Sequence, residues 1–164
     1  MILKTSYRQD CAKALTEYIS RRRHLDIRDR NGNVMSQEEI DRFIDKSEKH
    51  NFEREFIISP DDHEIAVDNM INYTREGMEQ WIAESNRESV DYIYCVHYDT
   101  LHHPHVHVAM IGRAKDLRMY KSEIQHAQDM VFAKAFKEPE LHKGLYLTNP
   151  LREKEEELEM MIGL

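Results

Sequence analysis

The chain has 164 residues, 40% hydrophobic and 33% charged, enough to bury a core without disulfides or structural metals. With 31 acidic against 23 basic residues, its net charge of −8 argues against a general nucleic-acid coat protein. The exception is residues 1–30, where eight Lys/Arg face four acids, so a bound anion is expected to meet this segment.

Residues 2–7, ILKTSY, read as a short strand. ALTEYISRR then predicts a helix with Ala14, Leu15, Tyr18 and Ile19 on one stripe. RDRNGNVMS carries an Asn-Gly turn. Ser36 followed by Glu39 forms a capping box that opens a helix through Asp41, Ile44 and Lys49. EREFIIS, at 53–59, is β-branched and aromatic and stops at Ser59-Pro60-Asp61-Asp62, the pattern of a strand and turn. From 64 to 85, Ile65, Val67, Met70, Ile71, Met78, Trp81 and Ile82 recur at helical spacing. VDYIYCVHYD (90–99) and HVHVAMIG (105–112) are strands close enough in sequence to pair as an antiparallel hairpin. Residues 119–136 and 150–160 read as helices, and the acidic run REKEEELE in the second as a solvated face.

No repeat, low-complexity stretch or linker interrupts the chain. The pattern predicts one α+β domain over 1–164, a central mostly antiparallel sheet covered by helices. Its core is expected at 1–115 and a helical part at 116–164. The apolar runs are too short for a membrane segment, and MILKTSYRQD lacks the apolar stretch of a secretory signal. Cys11 and Cys95 lie far apart with no metal or CxxC spacing. A cytoplasmic protein with reduced thiols is expected.

The stretch HYDTLHHPHVHVAM, at 97–110, holds five of the ten histidines. Alternate side chains on a strand share a face, so His105 and His107 project together beside Ala109 and Ile111. Val106, Val108 and Met110 face a second apolar layer. A hairpin brings His97 beside the pair, and three imidazoles leave positions open on a divalent cation for water or phosphate oxygens. His102 and His103 read as loop residues facing solvent or substrate. Asp99 reads as either an orienter of a ligand histidine or a turn residue.

These residues carry a resemblance. His97-x-Asp99-Thr100 with His103-Pro104-His105-Val106-His107-Val108 resembles the third motif of conjugative and plasmid-mobilisation relaxases, members of the HUH endonucleases. EREFIISPDD, Tyr73-Thr74-Arg75-Glu76 and Val90-Asp91-Tyr92 fall in the order of that family. ALTEYISRR resembles its first motif, a helix-borne tyrosine followed by basic residues. The resemblance covers about 1–115. It implies site- and strand-specific nicking and religation of DNA through a 5′-phosphotyrosine, in plasmid mobilisation or rolling-circle replication initiation. It also implies His97, His105 and His107 as ligands of Mn²⁺ or Mg²⁺, and Tyr18 as nucleophile. Single-stranded or hairpin DNA at an origin of transfer or replication becomes the expected partner, with accessory mobilisation proteins.

Arg21, Arg22 and Arg23 follow Tyr18 and are the expected DNA contacts, able to hold phosphates and lower the cost of a phenolate. Tyr92 and Tyr94 alternate within a strand and read as core. Tyr120 is the rival nucleophile, because replication initiators of the same superfamily place theirs on a helix after the metal strand. Two other classes fit part of the pattern. His103-x-His105-x-His107 resembles the histidine-triad nucleotide hydrolases, which need no metal, and a non-catalytic origin-DNA-binding protein would keep the fold alone.

Overall fold

The computed structural model describes residues 1–20, 25–50, 52–98 and 103–137. Its centre is a sheet of four strands, β1 (Ile2–Arg8), β2 (Glu53–Ser59), β3 (Asp91–His97) and β4 (His105–Ile111). Their order is β1-β2-β4-β3, with every neighbouring pair antiparallel. Between them run α1 (Cys11–Ser20), α2 (Gln37–Ser47) and α3 (Val67–Glu84). After β4 come α4 (Ala114–Leu117) and α5 (Lys121–His126), which continues through a π-helical stretch (Ala127–Phe132) into α6 (Ala133–Ala135). This is the expected α+β architecture, and the antiparallel hairpin of β3 and β4 is present. The second expected helix, 150–160, lies outside the described residues, as do Arg21, Arg22, Arg23, Asp99 and His102.

Period-two alternation gives the sheet two apolar faces. Phe56, Ile58, Tyr92, Tyr94, Val106, Val108 and Met110 pack under α3, against Met70, Met78 and Trp81. Ile93, Cys95, Ala109 and Ile111 pack instead against Cys11, Ala12, Leu15 and Ile19 of α1 and Ile40 and Phe43 of α2. Each Val, Leu, Ile, Phe or Met among them contributes about 1.5–3 kcal/mol if fully buried, so the two layers together hold the sheet between its helices. Leu117, Ala127, Val131, Phe132 and Phe136 also belong to the first layer.

Each sheet edge is met at one point by another segment, which interrupts its free row of backbone groups. Leu3 N–H on β1 donates to Gln128 Oε1 at 3.1 Å. On β3, Tyr94 exchanges two backbone hydrogen bonds with Arg28, of 2.8 and 3.0 Å, from the turn that contains Gly32. Gly32 sits at φ +87, the left-handed region that the Asn-Gly signal anticipates. The capping box is formed as read: Glu39 N–H donates to Ser36 Oγ, and the Glu39 carboxylate accepts from the Ser36 N–H.

Two expected stripes are turned from their predicted places. In α1, Leu15 and Ile19 are buried with Cys11 and Ala12, whereas Ala14 and Tyr18 are exposed. In α3, Val67 is 40% exposed, and Thr74 and Gly77 join the buried face instead. Gly77 is required there, because a Cβ would come within 2.6 Å of Phe132 Cδ1. Among the described residues no helix is long and apolar enough to cross a membrane.

Candidate metal centre

The register of the hairpin assembles the centre. His97 stands directly across from His105, and Cys95 across from His107. All four therefore project from the face that α1 crosses. The rings of His97 and His105 lie 4.6 Å apart, and those of His105 and His107 4.9 Å apart. One nitrogen from each of the three lies within 4.8 Å of the others. Beneath them Cys95 is fully buried, and burial pushes its thiol up to about 12, so it forms an inert floor rather than a thiolate ligand.

The hydrogen bonds show which nitrogens face the shared space. His105 Nδ1 is 3.0 Å from the carbonyl oxygen of His103, an acceptor only, so Nδ1 carries the proton and Nε2 its lone pair. That Nε2 is 3.0 Å from His97 Nδ1. Two nitrogens bound to one cation at about 2.1 Å stand about 3.0 Å apart at a right angle and about 3.4 Å apart at the tetrahedral angle. His107 turns Nδ1 toward the Glu55 carboxylate, 3.7 Å away, and its buried Nε2 has no hydrogen-bond partner among the described residues. An orphaned buried nitrogen costs about 1–3 kcal/mol, a cost that coordination removes. The donor set thus fits a divalent cation, with a carbonyl and a carboxylate behind two of the rings.

Tyr18 is brought to this centre by α1. Its ring centroid lies 5.9 Å from that of His107 and 6.2 Å from that of His97. Together with Ala14, Leu15, Glu55 and His107 it lines a cavity of about 250 Å³ between the helix and the sheet. What aims the helix is Glu53, 3% exposed on β2, whose Oε1 accepts the Ala12 N–H at 3.0 Å. The amides of Asp10 and Cys11 also bond to this carboxylate. Asp10 adopts φ +63, a strained value for a residue with a side chain, to turn the chain from β1 into α1. Burial raises the Glu53 carboxyl above the ordinary range, against the opposing pull of these amides.

Tyr120 is not part of this assembly. It lies 67% exposed at the start of α5, lining a cleft with Trp81, Arg87 and Asp116 beyond the opposite end of β4. His103, first in the HxHxH spacing, stacks on His63 with centroids 3.6 Å apart rather than joining His105 and His107. Tyr92 and Tyr94 are core, as their alternation predicts. The sequence reading missed Glu55 and Glu53, although their signal was present. Two acids two apart on a strand share a face with Ile57, and acids facing an apolar layer need partners.

Comparison of the chain with known protein families, with curated proteins and with solved structures finds no match.

Proposed function

We propose that this protein is a DNA-nicking strand transferase of the HUH relaxase type, acting on single-stranded or hairpin DNA at an origin of transfer or replication. The observation that carries the reading is the position of Tyr18, whose ring lies 5.9 Å from that of His107 and 6.2 Å from that of His97, two of three clustered imidazoles. His97, His105 and His107 would hold Mn²⁺ or Mg²⁺. A cation bound there supplies Lewis-acid polarisation of the scissile phosphate.

The chain's own residues do the rest. Tyr18 Oη attacks phosphorus, forming an O–P bond as the bond from phosphorus to the 3′ oxygen breaks. The phenolic proton is balanced by the proton that the departing 3′ hydroxyl acquires. The 5′ phosphate stays on Tyr18, and the reverse attack of a 3′ hydroxyl reseals the strand without ATP, since the phosphodiester energy is retained. The His103 carbonyl holds the His105 ring and the Glu55 carboxylate faces His107 at 3.7 Å, so both rings have a partner outside the shared space before substrate arrives. Arg21, Arg22 and Arg23 follow Tyr18 in the sequence and are assigned to the phosphates flanking the break.

The alternatives are disfavoured by placement. A histidine-triad hydrolase would use His103 in line with His105 and His107, yet its ring is stacked on His63. A non-catalytic origin-binding protein leaves unexplained a tyrosine set beside two of three clustered imidazoles. The deciding experiment incubates the protein with Mn²⁺ and labelled single-stranded DNA and maps any adduct by peptide mass. An adduct on Tyr18, absent in Tyr18→Phe and kept in Tyr120→Phe, is expected. Cleavage without any tyrosine adduct would show that water is the nucleophile and overturn the proposal.

A further inference from the structure

We propose that His63 and His103 form a stacking platform for one nucleobase beside the histidine centre, an inference that rests on the nucleic-acid reading above. The two imidazoles are exposed and stacked, with centroids 3.6 Å apart and planes 29° from parallel. Their position follows from the sheet. The register pairs Ile58 with Val106, so the turn after Ser59 runs alongside the residues that precede His105. The His103 carbonyl is held by His105 Nδ1 at 3.0 Å, which fixes the platform next to a metal-ligating ring. Two residues of extended chain span about 7 Å, the reach of a single nucleotide from phosphate to base.

Charge decides how a strand would lie. Asp61, Asp62 and Glu64 flank His63 in the sequence and are exposed, and of these Asp61 is offset by the Met1 ammonium, so the net negative charge disfavours a phosphate at this corner. The backbone is thereby directed to the centre under Tyr18, and the flat face of the base to the imidazoles. With 31 acids against 23 Lys/Arg, counterion release is confined to the basic N-terminal segment, so stacking adds affinity that charge does not supply at this corner. Every base has a π face, so the platform favours purines by area without reading sequence. The platform works through ring faces and requires no protonation.

The test uses Mn²⁺-loaded protein and short single-stranded oligothymidylates carrying one 2-aminopurine at successive positions. Wild type should quench one position strongly. His63→Ala should lose that quenching and bind about tenfold more weakly, with Mn²⁺ affinity unchanged, and His63→Phe should restore both. An abasic site at the quenched position should weaken wild type by the same factor and His63→Ala no further. Additive losses, or quenching that survives His63→Ala, would overturn the platform while leaving the nicking reading intact. Failure of wild type to bind or be labelled by any oligonucleotide would overturn both.

Discussion

Replacing Glu53 by alanine tests whether the aim of α1, and with it Tyr18, is set from the sheet. The carboxylate accepts the Ala12 amide at 3.0 Å and also bonds the amides of Asp10 and Cys11. It does for α1, from a neighbouring strand, what a capping side chain does from within a helix. Losing a cap costs about 1 kcal/mol, and a buried hydrogen bond to a charged acceptor about 1.5–3 kcal/mol. Relief of the buried carboxylate offsets part of this, so a net loss of about 2 kcal/mol is expected, or about 4–8 °C in Tm for a chain of this length. Tyr18 adduct formation should slow about tenfold, which corresponds to about 1.4 kcal/mol of misplacement. Mn²⁺ affinity should hold, because the three histidines proposed to bind it sit on β3 and β4.

Glu53→Gln keeps an acceptor and removes the charge, so it should restore most of both. Because burial raises the Glu53 carboxyl, the folded protein holds that proton more tightly than the unfolded chain. Its contribution to stability is therefore full below the ordinary carboxylate range and lost as pH rises through the raised value. Glu53→Gln should thus gain on wild type as pH increases from about 4 to 8. Melts across that range and single-turnover labelling are the assays. An alanine variant that melts within a degree of wild type and labels at the same rate would show that the apolar stripe alone aims α1.

Saturating Mn²⁺ at about a hundred times Kd should stabilise wild type by about 2.7 kcal/mol, a rise of about 5–10 °C in a thermal melt. His107→Ala should melt at the same temperature with and without the ion, and a preserved rise would exclude His107 as a ligand. Gly77→Ala should destabilise by about 1–3 kcal/mol, since its methyl would meet the fully buried Phe132 at 2.6 Å and the ring is wedged edge-on against Phe56. Denaturant melts measure this directly, and a neutral result would mean the π-helical stretch yields freely.

Local rules reached far along this chain. The Ser36–Glu39 box, the Asn-Gly turn and the strand 53–59 were legible because each depends on residues within one turn or one alternation. The shared face of His105 and His107 was legible for the same reason, as period two is a property of any strand. What the sequence left open depends on distant partners. That His97 sits across from His105, with β4 between β2 and β3, is a matter of register and strand order. Helical periodicity places Leu15, Ile19, Ala14 and Tyr18 within one arc. Only the docking of α1 on the sheet decides that the first pair is buried and the second faces the centre. Glu53 joins Ala12 across 41 residues, and Phe132 fills the space at Gly77 from another helix. Such contacts carry no local spacing, because their geometry exists only once the sheet has closed and each helix has found its groove.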